Sequence, residues 1–234
     1  MQGPEQGTER HGTAPESVPV VNYPGFARAF ARMSNSEPGR QTFERLRRQT
    51  AGRARGVTLE VGAGGGPNFA YYDPALVERV EATEPDTNML RYAREQAAQA
   101  RVPVTLTQAP AEALPFADET FDTAVVTLVF CSVVDPARSM RELARTLKPG
   151  GRLLMAEHVR SEHAAISAVQ SALAPITRRA AANCHWNRDT ASVVRQSGLT
   201  EISVTRLRYP SAWYSALEDG LLPILLIEAR KPGG

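Results

Sequence analysis

The sequence predicts an α/β domain with a largely parallel β-sheet. Short apolar runs typical of strands alternate with helix-like segments five times along the chain, and this pattern is typical of βαβ units. The run over 121–128 is almost continuously apolar in its second half, as expected of a strand that is buried on both faces. With 234 residues, 42% of them hydrophobic, the chain is long enough to bury a core as one domain over 23–234.

The segments before the first predicted strand differ from the rest of the chain. Residues 1–22 are polar, contain Gly, Pro, Glu and Thr, and lack an apolar signal region, so we expect a disordered leader there. Apolar side chains recur at helical spacing over 23–33, and a second, arginine-rich helix is predicted over 41–55. Because both helices precede the first strand, they can cross the edge of the sheet. We therefore predict that residues 23–55 form an N-terminal helical lid.

Strands and helices then alternate through a predicted core of residues 56–160. The predicted strands are 57–61, 79–84, 102–107, 121–128 and 152–157. A short helix is predicted between the first strand and about residue 77, and a longer one over 86–100. A third begins after Asp135, because Asp is a favoured N-cap and the Pro that follows it suits the first helical position.

Residues 161–234 are predicted to supply helices on the substrate side and the final strands. One helix covers 161–182, and the next begins at Asn187 and ends at Gly198. The closing strands are 201–208 and 222–229. Because no long helix separates these two strands, one of them is expected to run antiparallel.

Charge and cysteine content exclude several classes of protein. The 27 basic and 25 acidic side chains leave a net charge of +2, so no global field points to nucleic acid or an acidic membrane surface. The two cysteines, Cys131 and Cys184, exclude a disulfide scaffold and a Cys-rich zinc site, and no metal site is predicted. No apolar run reaches the ~18 residues of a membrane span. We expect a cytoplasmic protein that binds neither nucleic acid nor membrane.

A glycine-rich turn follows the first strand and predicts a nucleotide site. Its sequence is Gly62-Ala63-Gly64-Gly65-Gly66-Pro67, and glycines are needed where a backbone turns sharply beside a ligand. The dinucleotide fingerprint of oxidoreductases would need a glycine in place of Pro67, and a P-loop would need a Gly-Lys-Ser/Thr that is missing. Glu84 ends the second strand about 20 residues beyond the glycines, where a carboxylate can accept both hydroxyls of a ribose.

Five motifs follow one another between residues 57 and 157. They are Glu60-x-Gly62-x-Gly64-x-Gly66, Glu84 after the second strand, Ala111-Glu112-Ala113-Leu114-Pro115-Phe116, Phe121-Asp122, and Leu147-Lys148-Pro149-Gly150-Gly151. Together they resemble the class I S-adenosylmethionine-dependent methyltransferases. The resemblance implies a Rossmann-like fold with a seven-stranded, mostly parallel sheet, the last strand antiparallel, and helices on both faces. It also implies S-adenosyl-L-methionine as the methyl donor and S-adenosyl-L-homocysteine as the product.

The same resemblance, applied position by position, implies a donor site. Its residues are Gly62, Ala63 and Gly64 along the donor, Glu84 and Pro85 at the ribose, Ala111 and Glu112 beside the adenine, and Thr127 and Leu128 near the methionine portion. Many relatives have Gly-Asp-Ala where this chain has Ala109-Pro110-Ala111. The side chain that would accept from the adenine amino group is therefore absent, and main-chain groups or Glu112 must replace it.

Two histidines are candidate catalytic bases. Methyl transfer is an in-line displacement, and a base is needed only when the acceptor is protonated and weakly acidic. His158 follows the fifth strand at the edge where ligands of such sheets bind, and the alternative is that it orders the next loop. His185 precedes the following helix, and its alternative is a solvated side chain beside a packed Trp186. Cys131, near the expected donor methyl, is predicted to pack as a small apolar residue.

A narrower likeness concerns the acceptor. It is carried by Thr127-Leu128-Val129-Phe130-Cys131-Ser132-Val133, Glu157-His158-Val159 and Cys184-His185-x-x-Arg188-Asp189-Thr190. These segments look like the alkyl-thiol methyltransferases of animals and their bacterial relatives, which implies S-methylation of a small-molecule thiol. The alternatives left open are O- or C-methylation of a phenol or quinone-type molecule, and binding of an adenosyl ligand without catalysis. The oligomeric state is also left open.

Overall fold

The structure is a computed structural model that describes residues 22–207 and 221–233. Of the predicted leader, residues 1–21 therefore lie outside the described part of the chain. The described residues contain one sheet of seven strands. These are β1 (Gly56–Val61), β2 (Val77–Thr83), β3 (Val104–Thr107), β4 (Phe121–Thr127), β5 (Leu147–His158), β6 (Thr200–Leu207) and β7 (Ile224–Arg230).

The sheet is mixed, and its strands lie in the order β3-β2-β1-β4-β5-β7-β6. The first five strands pair in parallel, whereas β7 pairs antiparallel with both β5 and β6. The predicted seven-stranded, mostly parallel sheet with its last strand antiparallel is confirmed. The strand order reverses between β1 and β4, and open α/β sheets bind ligands at the carboxyl ends of the strands beside such a reversal.

Six α-helices accompany the sheet in the described part of the chain. They are α1 (Pro24–Asn35), α2 (Glu37–Gln49), α3 (Thr87–Ala97), α4 (Pro136–Thr146), α5 (Ala164–Ala180) and α6 (Thr190–Arg195). The predicted cap Asp86 accepts a hydrogen bond from the backbone N–H of Asn88, and Asp135 accepts one from that of Arg138, so both helix starts are confirmed. Within these ranges, no helix combines the length and the apolar character that a membrane span needs.

Three helix predictions are wrong. The arginine-rich helix is Glu37–Gln49 rather than 41–55, because Ser36 caps it earlier by accepting the backbone N–H of Gly39 at 3.2 Å. The glycine turn is followed by a single 3₁₀ turn, Phe69–Tyr71, because the carboxylate and carbonyl of Asp73 bind N–H groups just ahead of β2 and turn the chain into that strand. The last helix begins at Thr190 rather than at Asn187. Its N-cap is Asp189, whose carboxylate accepts the N–H of a first-turn residue at 3.0 Å, as an acidic cap does.

Helices pack on both faces of the sheet. In β4, Ala124 and Val126 belong to one apolar cluster, which also contains side chains of α4 and α6. Val125 between them belongs to a second cluster, with Ala93 of α3 and Phe69. This alternation follows the two-residue repeat of a strand, and the prediction of helices on both faces is confirmed.

The first two helices lie near the carboxyl ends of the central strands. Leu46 of α2 packs with Ala156 of β5. The side-chain amide of Asn35, the last residue of α1, donates to the carbonyl oxygen of Gly65 at 3.2 Å. The two helices therefore contact the glycine turn and the carboxyl end of β5.

Candidate active site

A cavity of about 820 Å³ opens at the carboxyl ends of β1, β2 and β4, next to α1 and α2. The residues that the sequence assigned to a donor all meet in it. Its wall contains Gly62, Ala63, Gly64, Glu84, Pro85, Ala111, Glu112, Thr127 and Leu128, together with His158. A second cavity of about 870 Å³, beside α5 and α6, contains none of these residues. The candidate site is therefore the first cavity.

The glycine turn combines a tight contact with an open position. Gly62 and Gly64 have φ angles of 68° and 56°, a left-handed conformation that glycine adopts at little steric cost. A Cβ on Gly62 would lie 2.6 Å from the side chain of Val129, whereas a Cβ on Gly64 would meet no atom within 4 Å. Gly62 thus permits the close packing of the neighbouring loop, and Gly64 presents bare backbone to the cavity.

Glu84 is buried directly after β2, and both of its carboxylate oxygens are engaged. Oε2 accepts a hydrogen bond from the backbone N–H of Gly64, and Oε1 accepts one from that of Asp86, both at 2.9 Å. Burial raises the pKa of Glu84 to about 7, against the opposing effect of these two bonds. A carboxylate offers about four lone-pair sites, so Glu84 can still accept two hydroxyl groups from a molecule in the cavity.

Sequence reasoning missed a buried polar cluster beside the glycine turn. Nδ2 of Asn68 donates to Oε1 of Glu60 at 3.0 Å and to Oγ1 of Thr127 at 3.1 Å. Tyr72 donates to the other carboxylate oxygen of Glu60 at 2.6 Å, and burial raises the pKa of Glu60 to about 7. Oδ1 of Asn68 is buried and has no partner among the described residues. It leaves a free acceptor in a side chain that lines the cavity.

Arg47 of α2 brings a positive charge to the same wall. Its residue surface is 4% exposed, and its guanidinium lies over the ring of Phe43, 5.5 Å from the centroid. Nη1 donates to the carbonyl oxygen of Ser34 at 3.4 Å. No sequence motif distinguished Arg47, because it is one of several arginines on a predicted surface helix. Its burial and its place in the cavity wall are visible only in the structure.

The β4–α4 loop, residues 128–135, is held by a buried carboxylate at its start. Oε1 of Glu157 accepts the backbone N–H groups of Val129 at 2.6 Å and Phe130 at 2.9 Å, and Oε2 accepts the following N–H at 3.3 Å. Leu128, just before them, has a φ of 58°, an uncommon angle for a residue other than glycine. The three bonds to Glu157 therefore hold a strained residue in the cavity wall.

Two further charged side chains hold the rest of this loop. Oε1 of Glu112 accepts the backbone N–H groups of Val134 at 2.7 Å and Asp135 at 3.1 Å. Nη1 of Arg188 donates to two carbonyl oxygens in the middle of the loop, at 2.5 and 2.6 Å. Glu112 therefore holds the end of this loop through Oε1, and the same residue lines the cavity.

The structure separates the two candidate bases. His158 lines the cavity and bonds to the backbone of Leu222, and its Nδ1 is buried without a partner in the described ranges. Burial lowers the pKa of His158 to about 4, so its imidazole is neutral at pH 7. The ring of His185 is not part of the described cavity wall, and its Nε2 lies 3.3 Å from Oδ1 of Asn183. This geometry gives no support to a catalytic role for His185.

Comparisons with known proteins place these features in context. A family model described as a methyltransferase domain matches residues 59–155. The thiol S-methyltransferase TMT1B of Rattus norvegicus is 28% identical over 192 residues, which cover 80% of this chain and 77% of that protein. The ubiquinone/menaquinone biosynthesis C-methyltransferase UbiE of Klebsiella pneumoniae is 38% identical over 112 residues, 46% of this chain and 45% of that protein.

A solved structure supports the fold at a lower level of sequence identity. The N-methyltransferase NodS from Bradyrhizobium japonicum, in complex with S-adenosyl-L-homocysteine, aligns with a TM-score of 0.63 and 18% identity. The alignment covers 90% of this chain and 98% of NodS. At this identity the likeness concerns the architecture alone.

Proposed function

Because the chain is a class I S-adenosylmethionine-dependent methyltransferase, we propose that it methylates the sulfur of a small, mostly apolar thiol. The observation that carries this proposal is a single cavity in which the donor residues and a neutral histidine meet an apolar wall. The apolar side chains of that wall include Phe26, Phe30, Phe43, Leu46, Leu128 and Val129. The similarity to a thiol S-methyltransferase supports sulfur as the acceptor atom.

The cavity residues suit the donor group by group. S-Adenosylmethionine, when bound, supplies an electrophilic methyl carbon on a positively charged sulfur. Glu84 has lone pairs left for both ribose hydroxyls, and the bare backbone at Gly64 leaves space that a side chain would fill. The methionine portion is a zwitterion. The Arg47 guanidinium in the cavity wall suits its carboxylate.

The acceptor side of the cavity favours a nucleophile that ionises without a strong base. A free thiol has a pKa near 8.5, so a few per cent of it is thiolate at pH 7. The neutral ring of His158 lies in the cavity wall and leaves the acceptor to ionise by itself. With a pKa of about 4, His158 is too weak a base for a phenol, whose pKa is near 10. Sulfur therefore fits this cavity better than oxygen.

The proposal is tested by comparing a thiol with the phenol of the same shape across pH. We expect transfer to the thiol to rise as the pH increases from about 6 to about 8.5, because the thiolate fraction rises roughly tenfold per pH unit below the pKa. The phenol should react at least about a hundredfold more slowly throughout. Faster transfer to the phenol, or no transfer to any thiol, would move the assignment to the oxygen-methylating alternative.

Removal of the two histidines should have unequal effects. We expect His158→Ala to lower kcat for the thiol about tenfold both near pH 7 and near pH 9, because the ring packs in the cavity wall and, with a pKa of about 4, does not take up the thiol proton. His185→Ala is the matched control, since that ring lies off the cavity, and should leave kcat nearly unchanged. Steady-state kinetics at both pH values measures this. A larger decrease in kcat for His185→Ala than for His158→Ala would contradict the placement of His158, and not His185, in the cavity wall.

The helices before β1 are expected to be required for turnover. Deleting residues 1–18 removes nothing that the structure describes and should leave methyl transfer unchanged. Deleting residues 1–38 removes α1, including two phenylalanines of the cavity wall and the bond from Asn35 to Gly65. Transfer should then fall at least about a hundredfold, because water enters the site and the reactants lose their alignment. If the protein that lacks residues 1–38 is folded, as judged by circular dichroism, and keeps full activity, these helices are not a lid.

A further inference from the structure

The two cysteines of the chain meet at one wall of the cavity. Cys131 lies in the β4–α4 loop, and Cys184 lies between α5 and α6. Both line the cavity as free thiols, and the residues are 2% and 8% exposed. The sequence predicted only apolar packing for Cys131. The structure places Cys131 beside a cysteine from a distant segment, in a wall that a small molecule in the cavity can reach. This pair of thiols has no role in the methyl transfer described above.

Two hydrogen bonds join the segments that carry the two cysteines. The backbone N–H of His185 donates to the carbonyl oxygen of Cys131 at 2.7 Å. Nδ2 of Asn183 donates to the carbonyl oxygen of Ser132 at 2.8 Å. Cys184 lies between these two donors in the sequence. The thiols therefore project from segments that run side by side, and such proximity is the first requirement of a disulfide.

The two thiols interact unequally. The contact between them lowers the pKa of Cys184 and raises the pKa of Cys131 well above its usual value, and burial raises the pKa of Cys131 further. Cys184 is therefore the better nucleophile, and Cys131 is a neutral thiol held against it. This is the arrangement of an attacking cysteine and a resolving cysteine.

We propose that Cys131 and Cys184 form a peroxide-sensitive modification site that closes to a disulfide in the cavity wall. Cys184, as thiolate, attacks an oxygen of hydrogen peroxide: an S–O bond forms, the O–O bond breaks, and the departing hydroxide takes up the proton that Cys184 released. Cys131 then attacks the sulfur of the sulfenic acid: an S–S bond forms, the S–O bond breaks, and hydroxide leaves with the proton of Cys131. Two thiols and one peroxide give one disulfide and two waters.

The new bond reduces methyl transfer by displacing the β4–α4 loop. A disulfide brings its sulfurs to about 2 Å and removes the S–H of Cys131. Sγ then no longer donates to the carbonyl oxygen of Leu128, a contact of 3.7 Å in the reduced protein. Leu128 lines the cavity in a strained conformation, and a misplacement of ~1 Å near reacting groups costs about a hundredfold in rate. In a reducing compartment other thiols reopen the bond.

Intact-mass measurement and peptide mapping after treatment with hydrogen peroxide test the proposal. Wild-type protein should lose two hydrogens in mass and yield a peptide that links Cys131 to Cys184. Methyl transfer should fall about a hundredfold and return after treatment with a phosphine reductant, which contains no thiol. Cys131→Ser should stop at a sulfenic acid on Cys184 that dimedone traps. Cys184→Ser should not react at the same peroxide concentration.

Circular dichroism shows whether each variant folds. The wild-type measurement tests the proposal even where a variant does not fold. Protein that keeps all its hydrogens, or that gains oxygen only at methionine, overturns the proposal. A linked protein that transfers methyl groups at the original rate overturns the predicted loop displacement. The mass and the peptide map do not involve a methyl acceptor, so they stand even where the thiol-acceptor proposal fails.

Discussion

Glu157→Gln is expected to lower kcat/KM for methyl transfer about a hundredfold, because it releases the start of the β4–α4 loop. The amide nitrogen of glutamine donates where a carboxylate oxygen accepted, so at least one of the three N–H groups at the start of the loop loses its acceptor. Glu157 is fully buried, and burial raises its pKa to about 7. Above that pH its side chain is ionised, and hydrogen bonds to a charged group contribute about 1.5–3 kcal/mol. The free energy of unfolding should fall by about 3 kcal/mol, and Leu128 should leave its strained position in the cavity wall.

Glu162→Gln is the matched control for this loss. Glu162 is exposed and lies a few residues further along the chain, outside the candidate site. Its substitution should change the free energy of unfolding by less than about 0.5 kcal/mol and leave kcat/KM unchanged. Urea unfolding and steady-state kinetics measure both variants. An unchanged kcat/KM in Glu157→Gln would show that the carboxylate does not position the loop.

Glu84→Ala is expected to weaken binding of S-adenosylmethionine roughly tenfold to a hundredfold while the protein stays folded. Two ribose hydroxyls lose a charged acceptor, and hydrogen bonds of that kind contribute about 1.5–3 kcal/mol. Isothermal titration calorimetry measures the dissociation constant, and thermal unfolding checks the fold. An unchanged dissociation constant would remove Glu84 from the donor site.

Donor binding should also depend on pH through this residue. The pKa of Glu84 is raised to about 7 in the free protein, so the side chain is mostly protonated below that pH and mostly ionised above it. The ionised carboxylate is the better acceptor, so the affinity for S-adenosylmethionine should increase as the pH rises from about 6 to about 8. Below pH 7, binding should release a proton from Glu84. Glu84→Gln cannot titrate and should lose this part of the pH dependence, while the titration of the ligand itself remains.

The mostly parallel seven-stranded sheet and two helix caps could be predicted from sequence, the sheet from family motifs and the caps from local pattern. Asp86 and Asp135 bond to N–H groups two or three residues away, so their signal lies within one turn. The residues that the motifs assign to a donor follow strand ends, and the parallel sheet brings those ends to one edge, where they line one cavity. The family motifs then supply the spacing between them.

The parts that sequence reasoning missed depend on contacts between distant segments. Arg188 bonds to a carbonyl oxygen 58 residues earlier, and Asn68 bonds to Thr127 59 residues later. Nothing near either residue in the sequence indicates these partners. His185 illustrates the same limit, because its loop does reach the cavity through Cys184 and Trp186. The backbone N–H of His185 bonds to Cys131, whereas the imidazole ring of His185 lies beside Asn183.

One competition experiment tests the central claim most directly, namely transfer of the methyl group of S-adenosylmethionine to sulfur in this cavity. The protein is incubated with deuterium-labelled donor and an equimolar mixture of a thiol, the matching phenol and the matching amine, and mass spectrometry identifies the labelled product. We predict label in the methyl sulfide, in about a hundredfold excess over the other products, with one S-adenosyl-L-homocysteine formed per transfer. Label mainly in the ether or the methylamine, or no transfer by protein that binds the donor, would contradict the account.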